Sequence, residues 1–172
     1  MKRFYEVALI LICALTLTLA EGRAATFTAG DVVIYRVGDG TASLVNTGNP
    51  VFLDEYSPTG TLVQSIAMPT TASGANHPLI ASGTAQTEGM LTLSADGQYL
   101  LLTGYGTTTG GTASLKNQPA SVVNRVVGRV DFAGNIDTST ALSDFADGDT
   151  PRSAASSNGT DLWVTGNTGG VR

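Results

Sequence analysis

The chain has 172 residues, a formal net charge of −5, only 13% charged residues and 21 glycines. That length suffices for one domain with a real core, and a mixture rich in Gly, Thr, Ser and Ala is poor for exposed helices but suits short strands joined by turns. The acidic balance argues against a nucleic-acid partner, which would need a basic face to replace counterions.

The first segment reads as an export signal. Lys2 and Arg3 precede an apolar run from Val7 to Ala20, and Gly22 and Ala24 are small residues at −3 and −1 of a cut after Ala24. A basic start, an apolar stretch and small residues at the cut predict a signal-peptide helix within residues 1–24. A membrane anchor is the competing reading, although the apolar run is shorter than the roughly 20 residues a spanning helix needs. Cys13, the lone cysteine, lies inside the run. Ile12 before it and the apolar residues after it argue against lipidation. Cleavage would leave no disulfide, thiolate metal site or thiol nucleophile. Residues 25–172 hold 12 acidic and 6 basic side chains, so the exported part carries 6 − 12 = −6. The membrane is met only through the signal peptide, before cleavage.

Strands and turns then alternate. Asp31 to Gly38 is a β-branched, aromatic-rich run closed by Gly-Asp-Gly, a strand with its turn. Thr41 to Pro50 reads as a loop. Val51 to Met68 predicts strand, turn and returning strand about Ser57-Pro58-Thr59-Gly60. Pro69 to Thr87 is a long loop. Gly89 to Gly104 is a hairpin about Asp96-Gly97, a dipeptide that tolerates a tight turn. Tyr105 to Pro119 is a second small-residue loop, and Val122 to Leu142 repeats the strand–turn–strand pattern about Ala133-Gly134-Asn135. The acidic loop Ser143 to Pro151 leads into Arg152 to Arg172. No segment after the signal peptide has a helical period of useful length. The fold class expected is all-β.

Internal repetition sharpens that expectation. Ser94-Ala-Asp-Gly-Gln-Tyr-Leu-Leu-Leu-Thr-Gly104 matches Ser156-Ser-Asn-Gly-Thr-Asp-Leu-Trp-Val-Thr-Gly166 without a gap, 62 residues later. A second hairpin type, Arg129-Val-Asp-Phe-Ala-Gly-Asn-Ile, lies between the copies and has an earlier counterpart in Glu55-Tyr-Ser-Pro-Thr-Gly-Thr-Leu. Two alternating hairpins make a four-stranded sheet, the blade of a β-propeller. Residues 25–172 thus predict about two four-stranded antiparallel blades of an incomplete propeller, with Leu100, Leu102, Leu162 and Val164 packing between blades. Trp163 would fill the space on the other face of its strand. Closure needs about four blades or more, so the chain reads as the front of a longer propeller or a truncated frame. If the repeat is only shared turn chemistry, a β-sandwich is the better expectation.

The run Phe27 to Gly40, then Val51 to Ile66, Ser94 to Leu100, Asn124 to Asp131 and Leu162 to Gly166, resembles the opening of a group of large secreted bacterial proteins similar to β-propellers, with no assigned chemistry. The resemblance covers essentially all of residues 25–172. It implies export in a bacterium, to the periplasm, the cell surface or beyond, together with the propeller architecture. It carries over no catalytic residue.

Candidate chemistry is thin. His77, the lone histidine, has no second His or Cys to complete a triad or a thiolate–imidazole zinc site. Asp144, Asp147 and Asp149 cluster beside a Gly turn and are the candidate calcium ligands, oxygen donors suiting a hard ion. They lack EF-hand spacing, and a solvated acidic turn is the plainer reading. Asp54 and Glu55 are adjacent, so a strand points them to opposite faces. Gly104 to Gly110 has glycines but neither the following helix nor the Gly-Lys-Ser/Thr of a phosphate loop, and no Gly-x-Ser-x-Gly elbow occurs. The function expected is an exported, non-catalytic surface or scaffold protein without a cofactor, binding a protein or glycan through blade loops. The alternative is part of a propeller hydrolase, a metal-assisted esterase or lactonase.

Overall fold

A computed structural model describes residues 25–172; the expected signal peptide lies outside the described residues. The protein is all-β and antiparallel. Its strands are β1 (Val32–Val37), β2 (Asn49–Tyr56), β3 (Leu62–Ala67), β4 (Ile80–Ala81), β5 (Thr92–Leu93), β6 (Tyr99–Tyr105), β7 (Arg125–Asp131), β8 (Ile136–Leu142), β9 (Pro151–Ser156) and β10 (Leu162–Gly166). A single 3-10 turn, Leu115–Asn117, interrupts the second long loop.

The hairpins form where the sequence places Ser or Asp three residues ahead of Gly. In Ser57-Pro-Thr-Gly60, Ser94-Ala-Asp-Gly97 and Asp131-Phe-Ala-Gly134 the Gly amide donates to the carbonyl of the first residue, at 2.8, 2.8 and 2.9 Å. In Ser156-Ser-Asn-Gly159 the Gly amide donates instead to Ser156 Oγ, at 2.8 Å. Each closing Gly has a left-handed φ, 71° at Gly97 and 77° at Gly159, where a Cβ is strained. The Asp96-Gly97 loop is longer than a two-residue turn, being closed by Ser94 N on Tyr99 O at 2.8 Å.

The strands group into three units. β1, β2 and β3 form a meander in the order β1-β2-β3. β5, β6, β7 and β8 form a second meander of four strands in chain order. β9 and β10 form a separate hairpin. The two-residue β4 stitches Asn49 and Pro50 of β2 to Tyr105 of β6, joining the first two units into one sheet. That stitch was not expected from the loop composition of Pro69 to Thr87; Asn49 holds it by donating from Nδ2 to Ala81 O at 3.2 Å.

Two apolar layers separate the units. Val51, Leu53 and Ile66 of the first unit pack on Leu102, Val126 and Val130 of the second, joined by Phe27 and Met68. The opposite face of the second unit presents Leu101 and Val127 to Ala154 and Val164 of the hairpin, with Phe145 between them. Leu101 and Leu102 are adjacent on β6 and both 0% exposed, because a strand sends neighbours to opposite faces and here both faces are covered. Leu100 and Leu162 are half-buried against the same layers, as the alternation predicts.

The two like segments, 62 residues apart in sequence, lie side by side. Met90 N donates to Arg152 O at 3.3 Å, Ala95 N to Ser156 O at 2.9 Å and Asp96 N to Ser157 O at 3.1 Å; Thr92 Oγ1 donates to Ala154 O at 2.6 Å. Both numbers rise together, so β9 runs parallel to β5. Gly97→Ala is expected to cost about 1 kcal/mol in urea unfolding, the price of a left-handed alanine in open space. Gly159→Ala is expected to cost more, since its new methyl would meet the Tyr99 ring; equal losses would show that Tyr99 yields freely.

Candidate functional site

The densest polar arrangement in the interior centres on Arg125, the first residue of β7, 1% exposed. Its fork reaches carbonyls of the loop before β7 and of the turn before β9. Nη2 donates to Gln118 O at 2.8 Å and to Ala146 O and Asp149 O at 2.9 Å. Nε also donates to Asp149 O, at 3.2 Å, and Nη1 donates to Val123 O. The guanidinium lies 5.0 Å from the centre of the Tyr105 ring. Among the described residues no carboxylate lies within 4.0 Å of it. Burial pushes its pKa down, opposed by Tyr105, Asp147, Asp149 and Glu88. A lysine, with one compact head, could not hold so many carbonyls in a plane.

Tyr105 extends the arrangement to Glu88. Its hydroxyl donates to Glu88 Oε2 at 2.9 Å, and Ser82 N donates to Oε1 at 2.6 Å. Burial pushes the Glu88 carboxyl up to about 7, against the lowering effect of those two donors and of Arg125. A carboxyl that holds its proton near neutrality is suited to proton transfer. Nearby, Tyr35 donates from its hydroxyl to Thr103 O at 3.3 Å, while Thr103 Oγ1 is buried without a protein partner.

The acidic turn packs beneath Arg125. Asp147 Oδ1 accepts from Ala120 N at 2.7 Å. Asp149 Oδ1 accepts from Thr150 N at 2.9 Å and Oδ2 from Asn167 Nδ2 at 2.6 Å. Asp144 stands apart, 3.9 Å from Arg172 Nε. The turn therefore offers Arg125 its carbonyls while its three carboxylates go to different partners. Among the described residues no three His, Cys, Asp or Glu side chains are grouped to hold a metal. His77 acts through its backbone: its N donates to Thr138 O at 3.2 Å, and its carbonyl accepts from Thr138 Oγ1 at 2.7 Å.

Asp54 and Glu55 do point to opposite faces. Asp54 accepts from Arg36 Nε and from Ser65 Oγ, each at 2.5 Å. Glu55, 0% exposed, accepts from Thr28 N at 2.5 Å and from Gln64 Nε2 at 2.6 Å. Those bonds pin the segment before β1 along one wall of a cleft of about 400 Å³, whose other walls include Leu91, Leu93, Tyr99 and Phe132. The cleft runs beside β1, a strand paired on one side only. The Gly38 N to Pro50 O bond, 2.8 Å, fixes the phase of that pairing, so Val33, Tyr35 and Val37 aim their backbone groups outward.

No protein-family model, curated protein or solved structure matches the chain. The site thus stands on its own geometry. Sequence reading missed both Arg125 and Glu88. Arg125 left a trace, an arginine inside the run Val-Val-Asn-Arg-Val-Val, whereas Glu88 sits in a Thr/Ser/Gly loop with no pattern about it.

Arg125→Met is expected to lower stability by about 3–5 kcal/mol, because it strands several buried carbonyls at once. Arg125→Lys should recover only part of that in urea unfolding, and full recovery would show that charge alone suffices.

Glu88 binds its proton more tightly folded than unfolded. Its contribution is complete below the ordinary value of 4.5 and is lost as the pH rises toward 7. The loss amounts to about 2–3 kcal/mol. Asp96, held below the usual carboxylate range by Ser94, and Asp137, held down by Ser139, act oppositely and lose their contribution as the pH falls. The unfolding midpoint should therefore decline between about pH 5 and 7, and Glu88→Gln should flatten that decline. A profile unchanged by the substitution would exclude Glu88 as its source.

Proposed function

We propose that this is an exported, non-catalytic β-propeller-like surface or scaffold protein, which binds a protein or glycan through the loops at the ends of its strands. The supporting observation is the parallel seating of β5 against β9 by residues about 62 positions apart. In a propeller the innermost strands of successive blades run side by side around an axis, and each blade packs face to face with its neighbours. On this reading β5 to β8 is a whole blade, β1 to β3 the outer three strands of the one before, and β9 and β10 the inner two of the one after. An export signal in residues 1–24, as the sequence predicts there, would carry the protein to the periplasm, the cell surface or the medium.

A hydrolase reading has one specific feature in its favour, the Glu88 carboxyl, with a pKa near neutrality beside Tyr105. Both groups already hold other parts of the fold. Their partners are Ser82 and the stack beneath Arg125, so the scaffold reading accounts for them without a substrate.

Purified protein should release no product above buffer from a panel of aryl esters and lactones, with or without calcium or zinc, and should fractionate with the cell envelope or the medium. Turnover that disappears in Glu88→Gln would overturn the scaffold reading in favour of the hydrolase.

A further inference from the structure

The two outermost sheet faces are counterparts of faces that are buried in the middle of the molecule. Trp163 on β10 stands 62 residues after Leu101 on β6. Leu101 is 0% exposed because the β9–β10 hairpin covers it, whereas Trp163 is 48% exposed. Thr165 likewise repeats Thr103, which is 1% exposed. At the opposite end the repeat spacing is 74 residues, from Gly60 to Gly134. The strand pairings obey it: Tyr56 faces Leu62 in the first unit as Val130 faces Ile136 in the second. That spacing, with β1 set on β2 as β6 is on β7, puts Ile34 in the place of Leu102 and Phe52 in that of Val126. Leu102 and Val126 are 0% exposed, while Ile34 is 49% exposed and Val32 and Leu62 beside it are open as well.

Among the described residues, each of these two faces thus carries the apolar residues of an interior layer with no strand laid on them. Charge is sparse on both faces: Asp161, exposed, two residues before Trp163 and in the place of Tyr99, is the carboxylate beside the second. On the first, Arg36 is paired with Asp54 and lies over the Phe52 ring at 4.2 Å. On the second, Trp163 is flanked on its own face by Ser153 and Thr165 through the β9–β10 register. Inside the molecule, faces of these two kinds already pack on each other: the Leu101 face is covered by the next unit, and the Leu102 face by the preceding one.

The geometry points to head-to-tail association of copies of this chain, with the Trp163 face of one copy seated on the Ile34 face of the next. The occupant is a second copy because the two faces are unlike each other and match the two sides of an interior layer. Such an interface is heterologous, so it propagates into a closed ring where the rotation between units closes, and into an open filament otherwise. Quasi-one-dimensional stacks of this kind gain stability with each neighbour added. The inference rests on strand equivalence alone, and holds whether the assembled protein binds a partner or turns over a substrate.

The test is the mass of the purified chain in solution, followed by sedimentation as its concentration is raised. The wild type should grow beyond one chain. Trp163→Asp and Ile34→Asp should each remain monomeric while keeping the wild-type circular dichroism, since both side chains are half exposed. Mixed in equal amounts, the two variants should form a species of two chains and nothing larger, because each retains one intact face. Trp163→Ser and Ile34→Thr, which are milder, should give the same pattern if an aspartate disturbs folding. A wild type that stays monomeric at every concentration would overturn the inference. So would variants that associate as the wild type does, or a mixture that stays monomeric; persistent association of Ile34→Asp would point instead to pairing along the open edge of β1.

Discussion

The burial of β6 and β7 on both faces is the constraint from which the rest of the fold follows. Each of these strands sends apolar side chains both ways, Leu102, Val126 and Val130 toward β1 to β3 and Leu101 and Val127 toward β9 and β10. A fully buried Leu or Val contributes about 1.5–3 kcal/mol, so the two layers together outweigh any single polar interaction. The flanking units, by contrast, are each covered on one face. Their own hydrogen bonds would not hold them in place, for a free two-stranded hairpin such as β9–β10 is marginal at best in water.

Polar chemistry then locks what the apolar layers bring together. Arg125 gathers the loop before β7 and the turn before β9 onto its guanidinium, and Tyr105 passes that order on to Glu88 and the strap at Ser82. The cluster sits where chain segments distant in sequence meet, so it ties the second unit to the hairpin after it. Asn49 and Glu55 do a comparable task on the other side, tying loops to β2. Buried polar groups of this kind cost desolvation, and each is accepted because its donors or acceptors are met.

Local chemistry was the most legible part of the sequence. The four tight turns carry Ser or Asp three residues ahead of Gly, and the Ser94 and Ser156 segments, alike in sequence, are also neighbours in space. Other features were hidden because their causes are not local. β4 consists of Ile80 and Ala81, too short for a pattern, and exists because Asn49 and Tyr105 are brought beside it. The role of Arg125 depends on carbonyls from four residues that no spacing connects. The three aspartates of the acidic turn are close in sequence, yet the turn directs its carbonyls inward and its carboxylates to three separate partners. The run Leu100-Leu101-Leu102 could have been read further: three consecutive apolar residues in a strand signal cover on both faces, whereas attention to alternation alone favours Leu100 and Leu102 and passes over Leu101.

The middle sheet should be the last part of the molecule to open. Native-state amide hydrogen exchange measures this directly, residue by residue. The amides of β6 and β7 should exchange only through global unfolding, with opening free energies equal to that from urea denaturation, while β1 and the β9–β10 hairpin open at lower cost. If Leu101, Leu102, Val126 and Val127 exchange as readily as Val32 or Val164, the two-sided burial of that sheet is not what holds the protein together.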